Sequence, residues 1–238
     1  MRPPKVLHEI EQVLFPSRCV LCGRYLLQEY TDGYPLCRSC EQELRQRMIA
    51  GPRCGCCGRP LLGELQFCTA CRSRSFSFAS VYPLGLYEGA LARVLKAYKA
   101  EEHKLLARFF ADLLAPVLST RGEGALLVRV PSRPGTVRRR GWDHTGEIVR
   151  HLSSRYGLHF LPLLRRGRSR AQKGLDYRER GRNLQGKIDT PACRDLQGGA
   201  VLCFDDVFTT GATLDVCAAV LKSAGAGEVR AVVIAADP

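Results

Sequence analysis

Residues 201–215 read VLCFDDVFTTGATLD. The apolar run Val201 to Phe204 has the length and the lack of alternation of a strand buried on both faces, as in a parallel sheet. It ends in a carboxylate pair, Asp205 and Asp206, and a short loop follows, Thr209-Thr210-Gly211-Ala212-Thr213. Leu214, Cys217, Ala218 and Leu221 then recur on one helical face, closed by Gly225. The reading is a buried strand, a tight loop, and a helix whose N-terminus points back at the loop. Unpaired backbone N–H groups and the positive end of the helix dipole make such a junction an anion site. Carboxylates cannot hold a phosphate, so Asp205 and Asp206 must face sugar hydroxyls or a cation. A phosphorylated sugar meets both demands.

The segment resembles, without a gap, the phosphoribosyl pyrophosphate (PRPP) motif of the type I phosphoribosyltransferases. The resemblance implies that Asp205 and Asp206 take the ribose hydroxyls. It also implies that Val207, Thr209, Thr210, Gly211, Ala212 and Thr213 cradle the 5′-phosphate. The alternative is an ordinary strand-to-helix turn whose acids and threonines only cap a helix. Neither GxxxxGK[ST] nor GxGxxG stands between a strand and a helix elsewhere in the chain.

Working outward, Leu126 to Val130 reads as the first strand of an αβ domain and stops at Pro131. A basic turn, with Ser132 and Arg133, leads to Arg138, Arg139 and Arg140. A helix is expected from about Asp143 to Tyr156 and a short strand at Leu158 to Leu161. Residues 165–183 show no apolar periodicity and are expected to form a mobile loop carrying Arg170 and Lys173. The PRPP-like segment comes next, and Val229 to Ala235 reads as a last strand. The expected fold is α/β, a type I phosphoribosyltransferase-like parallel sheet with helices on both faces. Its sites gather at the carboxyl ends of the strands, where such sheets bind ligands. Upstream, residues 81–87 alternate, and two amphipathic helices are expected at 89–99 and 104–118.

The charge is +13 and uneven. From Arg129 to Arg182 there are fifteen Lys and Arg against four Asp and Glu, a net of +11. A solvated basic face is the bland explanation. Its place between the first strand and the PRPP-like loop favours a phosphate or polyanion role.

Nine of the twelve cysteines fall within residues 19–71. They include four CxxC pairs, Cys19/Cys22, Cys37/Cys40, Cys54/Cys57 and Cys68/Cys71. Glycine follows the first and third pairs, which lets backbone N–H groups approach both thiolates. Eight ligands make two tetrahedral zinc sites in a duplicated ribbon, with sequential or interleaved pairing both open. The alternative, disulfides, is disfavoured by the lack of an export signal. Cys56 reads as a spectator, and Cys193, Cys203 and Cys217 as core or incidental thiols. A module this small needs metal for its folding energy. The expected division is residues 1–75, an N-terminal helix plus double zinc ribbon, and 76–238, the phosphoribosyltransferase-like domain. No run is long enough to span a membrane, and the charged N-terminus is not a signal peptide, so a cytoplasmic protein is expected.

The double CxxC ribbon, Lys99 after Tyr87, VPSRPGTVRRRGWDH, RSRAQKGLDYRERGRN and the PRPP-like motif together resemble the ComF/GntX family. One departure is Trp142-Asp143-His144, where many members have an aromatic residue followed by Asn-Gln. The resemblance implies PRPP with Mg²⁺ as ligand and a role linked to competence for DNA uptake. A phosphoribosyl transfer would draw on Arg138, Arg139, Arg140, Arg170 and Lys173 to stabilise the leaving pyrophosphate. The acceptor stays open. So do a non-catalytic sensor that holds single-stranded DNA and an adaptor for a helicase-like competence protein. With Pro238 ending the chain, the ribbons and the 81–118 region are expected to fold back as a hood over the acceptor side.

Overall fold

The computed structural model of the protein describes residues 18–26, 33–61, 63, 66–167, 183–184, 186–190 and 196–238. The expected N-terminal helix, Cys193, and the loop residues Arg170 and Lys173 lie outside the described residues.

In chain order the elements are α1 (Arg38–Gln46), α2 (Thr69–Arg72), β1 (Ser80–Leu86), α3 (Gly89–Ala100), α4 (Leu106–Arg121) and β2 (Leu126–Arg129). They continue with α5 (Pro134–Arg140), α6 (His144–Tyr156), β3 (Phe160–Leu161), β4 (Arg165–Arg166) and β5 (Ile188–Asp189). The last three are β6 (Ala200–Phe208), α7 (Ala212–Ser223) and β7 (Glu228–Ala236). Five strands form one sheet in the order β1-β7-β6-β2-β3, every pair parallel.

Both faces of this sheet are covered. Val201, Cys203, Ala231 and Val233 pack with Leu214, Cys217, Ala218 and Leu221 of α7. Leu202, Phe204, Val232 and Ile234 pack with the helices α3, α4 and α6 on the other face. Two apolar faces explain why the strand sequences run apolar without alternating.

Four boundaries differ from the sequence reading. The first strand of the sheet is β1, paired with β7 through Tyr82↔Val232, and not Leu126 to Val130. The alternating residues 81–87 supply this strand, and Pro83, which has no N–H, is tolerated because β1 is an edge strand. β6 does not stop at Phe204 but carries Asp205 and Val207 in register with Val233 and Ala235. The turn after β2 includes a real helix, α5, started by Pro134 and ended by Gly141 at φ +74°. The expected loop at 165–183 opens with β4, which pairs antiparallel with β5.

β2 has β3 on one side and β6 on the other, so the winding reverses between β2 and β6. That reversal opens a crevice at the carboxyl ends of these two strands, the place where open α/β sheets take ligands.

Candidate functional site

A cleft of about 300 Å³ occupies this crevice. Of the residues singled out in the sequence, Ser132, Arg133, Arg140, Asp205, Asp206, Val207, Thr209 and Thr213 line it. Thr210, Gly211 and Ala212 do not; they make the turn into α7. Gly211 is the N-cap at φ +84°, and a Cβ there would lie 3.0 Å from the Phe208 ring and 3.2 Å from that of Phe76. The turn therefore needs glycine twice over, for its dihedral and for space. Arg138 and Arg139 are exposed on α5 and stand outside the lining.

The sequence reading missed or undervalued Lys99, Thr136, His144, Thr145 and Arg166, which complete the walls. Lys99 sits in the last turn of α3 and reaches Asp206, Nζ to Oδ2 2.8 Å. His144 opens α6 and its Nε2 makes a short contact with the same oxygen. Tyr98, one residue before Lys99, donates its hydroxyl to the His144 carbonyl at 2.5 Å and so ties α3 to α6. Nothing periodic in the sequence marks these partners, because helix α3 meets β6 only through the fold.

Asp143 shows what the departure from Asn-Gln does. It is the N-cap of α6 and accepts from the Gly146 N–H at 3.2 Å. It also accepts from Ser132 Oγ at 2.6 Å and Arg129 Nη1 at 2.7 Å. Burial works to raise this carboxyl, but the Ser132 bond and the Arg129 charge outweigh it and lower it. An acid here locks the loop after β2 to the start of α6.

The two strand acids are not equivalent. Burial would raise Asp206, yet Lys99 and His144 hold it well below the ordinary carboxylate range. Burial, then the Asp206 charge, pushes Asp205 up, and only its neighbour's backbone N–H (2.9 Å), Lys99 and Arg166 oppose this. Asp206 is thus a fixed anion inside an ion-pair network, and Asp205 is the acid with acceptor capacity towards the cleft. Against these two acids the walls set Lys99, Arg133, Arg140 and Arg166. Such a cleft can hold an anionic group beside a hydroxyl donor.

Among the described residues no ribbon side chain lines the cleft. The 81–118 region reaches it through Lys99 alone. The second ribbon touches its rim from outside: Arg59 donates from Nη2 to the Thr209 carbonyl at 3.1 Å.

The eight paired cysteines gather as two tetrads, Cys19, Cys22, Cys37, Cys40 and Cys54, Cys57, Cys68, Cys71, each with its sulfurs within 4.8 Å of one another. The grouping is sequential. The Cys22–Cys37 and Cys57–Cys68 sulfurs are 3.7 Å apart. A tetrahedral zinc with Zn–S bonds of about 2.3 Å puts its sulfurs about 3.8 Å apart, so the donor sets fit two structural zinc ions. No described cysteine is in a disulfide. The local plan is the same twice. The Gly23 N–H bonds the Cys19 carbonyl at 2.8 Å and the Gly58 N–H bonds that of Cys54 at 2.9 Å. Cys37 and Cys68 are the N-caps of α1 and α2, which carry Cys40 and Cys71. Cys203 and Cys217 are buried in the sheet core, and burial pushes the Cys203 thiol up to about 12.

Fold and tetrads define a double zinc ribbon joined to a parallel α/β unit with a ligand cleft at its switch point. A family model described as a double zinc ribbon domain matches residues 10–72. The chain is 25% identical over 225 residues to competence protein F of Haemophilus influenzae, covering 91% of this chain and 95% of that one. It is 26% identical to competence protein ComFC of Streptococcus pneumoniae, covering 90% and 97%. With the DNA utilization protein YhgH of Salmonella typhi it shares 27%, covering 90% and 95%. The chain is thus similar, over about nine-tenths of its length, to proteins named for competence and DNA utilization. No helix of the described residues is long and apolar enough to cross a membrane.

Proposed function

We propose that the switch-point cleft binds PRPP or a related ribose phosphate as its Mg²⁺ complex, and that the protein works in the cytoplasm in competence-related DNA handling. The observation that carries this reading is the meeting, in one cleft, of Asp205 with Thr209 and Thr213, the two ends of the loop, and four cations. Asp205 has the position to accept from a ribose hydroxyl. The loop and the α7 N-terminus suit the 5′-phosphate, and Arg133 and Arg140 suit the pyrophosphate. Phosphoribosyl transfer would need no more than this charge at the leaving group, together with Arg138, Arg139, Arg170 and Lys173. The relatives named for competence and DNA utilization support the setting.

Calorimetric titration with PRPP, with and without Mg²⁺, tests the reading. Saturable, Mg²⁺-dependent binding that weakens at least tenfold in Asp205→Asn is expected; unchanged affinity in that variant refutes the ribose role. Release of pyrophosphate in the presence of candidate acceptors separates an enzyme from a sensor. The sensor reading is favoured by Asp206, which Lys99 and His144 already occupy. Binding of single-stranded DNA would use the exposed Arg138 and Arg139, and a helicase-like partner would extend the same DNA path. Affinity for a DNA strand should then fall with salt at about −0.7 per phosphate neutralised, and less steeply once both arginines are alanine.

A further inference from the structure

On the same sheet face as Asp206, but at the opposite end of the strands, lies a second cavity of about 230 Å³. Arg53 of the second ribbon, Arg121 at the end of α4 and Arg230 near the start of β7 line it, with Tyr82, Leu202 and Val232. Leu202 and Asp206 are four residues apart on β6, roughly 13 Å at the usual strand rise. The two cavities are therefore separate.

Three arginines line it with little to neutralise them. The carbon of each of the Arg53 and Arg121 groups lies 4.3 Å from the Tyr82 ring centre. No carboxylate of the described residues forms a salt bridge with either; the nearest such pair is Arg230 Nε with Glu228 Oε2 at 3.2 Å. That contact is an ion pair only, and the buried Arg230 Nε has no hydrogen-bond partner. Arg53 spends its own donors on the Pro83 carbonyl at 2.8 Å and on the Ile49 carbonyl, so it fastens the ribbon and adds charge without being free to swing. Burial lowers its proton affinity, and the Arg121 charge adds to this. Converging guanidiniums and an orphaned buried N–H are the features an oxyanion satisfies.

We propose that this cavity is a second anion site, which takes a phosphate monoester or pyrophosphate group. Three guanidiniums less one carboxylate leave two positive charges, matching a phosphate dianion better than the single charge of a phosphodiester. Both guanidiniums already engage the Tyr82 ring, so a base has no aromatic face to stack on. Recognition is of the phosphate and not of the nucleoside. The ligand is either a free small phosphate compound or the terminal phosphate of a DNA strand. Because ribbon, sheet and α4 all supply a wall, the site exists only when the zinc-loaded ribbon is docked.

The test uses the full zinc-loaded chain titrated with inorganic pyrophosphate. Calorimetry counts all sites, while fluorescence of the single tryptophan, Trp142, whose ring lies 6.3 Å from that of His144, reports the first cleft. Arg121→Gln/Arg230→Gln should weaken one calorimetric site at least tenfold and leave the Trp142-reported binding unchanged. Arg121→Gln alone, on an exposed helix end, serves if the double variant is unstable, and should weaken the same site several-fold. Identical titrations for wild type and variants, or no wild-type site beyond the one Trp142 reports, would overturn the proposal. Failure of PRPP to bind the first cleft leaves this outcome untouched, so the two readings fall separately. Competition by a 5′-phosphorylated oligothymidylate, but not by its 5′-hydroxyl form, would identify a strand end. Competition by neither would identify a small phosphate compound. Equal competition by both would overturn the phosphate-monoester class.

Discussion

The first ribbon sends Tyr34, Leu36 and Leu44, all fully buried, into the core shared by α3 and α4, where the Tyr34 ring meets that of Phe109 at 5.6 Å. The second ribbon contributes little beyond Cys54 and Cys57 to its core and leans on backbone instead. The Val81 N–H bonds the Cys56 carbonyl at 2.7 Å, and a Cβ on Gly58 would lie 2.3 Å from the Val81 carbonyl and from Pro83. Just beyond it, the Ser77 N–H bonds Asp215 of α7 at 2.6 Å, and Arg59 holds the Thr209 carbonyl. One local plan, repeated, thus serves two ends. The first ribbon stabilises the helical face, and the second braces the loop that rims the cleft. What a metal site does for a protein depends on what its ribbon is packed against.

The comparison breaks most visibly in Cys19→Ser. Zinc content should drop from two to one, measured by elemental analysis. Stability should fall by several kcal/mol, because each fully buried large apolar side chain contributes about 1.5–3 kcal/mol. Ligand affinity of the molecules that remain folded should stay within about twofold. Denaturant titration showing no loss of stability would remove the distinction drawn for the first ribbon.

Cys57→Ser should also lose one zinc, with a smaller drop in the denaturation midpoint. Here the affinity for a ribose phosphate should weaken by about tenfold, since the Thr209 carbonyl and the α7 side of the loop lose their brace. If calorimetry finds the two cysteine variants alike in affinity, the second ribbon does not brace the cleft.

Arg59→Ala sharpens the point, because it cuts one bond between ribbon and loop and leaves both zinc sites in place. Losing one such hydrogen bond costs about 1 kcal/mol, or roughly fivefold in affinity, with zinc content unchanged.

The smallest effect concerns pH and a pair of acids that neither ribbon touches. Asp205 is raised in the folded state, by burial and then by Asp206. Its contribution is therefore present below the ordinary carboxylate range and is lost as pH rises towards the raised value. Asp206 is depressed by Lys99 and His144, so its contribution is present above that range and is lost only on strong acidification. Between pH 5 and pH 8 the Asp205 effect remains as a downward slope. Asp205→Asn should flatten it by about 2–4 °C in melting temperature for each kcal/mol removed. Equal slopes in wild type and variant, by calorimetric melting, would show that the two acids share their charge evenly.

Much of this was legible in advance where the chemistry is local. The four CxxC pairs announce tetrads because cysteines three apart meet one metal from a single turn, with a glycine behind the first and third pairs to let the backbone approach. Val201 to Phe204 announces a doubly covered strand because no residue in it is polar. Ser132 and Arg133 come just after β2, behind Val130 and Pro131, so their place beside the acids followed from strand order. Lys99, His144 and Arg166 were not legible as a group. They arrive from α3, α6 and β4, and no spacing in the chain ties them to Asp206 or Asp205.

By itself the sequence determined the metal chemistry, the parallel α/β class and the strand–loop–helix that carries the acid pair. Each of these depends on residues within about a dozen positions, where backbone geometry alone sets the distances. The tertiary structure decided which cysteines share an ion and that β1 flanks β7. It also decided that Asp206 is spent on Lys99 and His144 while Asp205 faces the cleft, and that three distant arginines line one cavity with Tyr82. Those outcomes rest on packing between remote segments and on the low dielectric it creates, which separates two adjacent, identical carboxyl groups into one fixed anion and one acid held back from ionising.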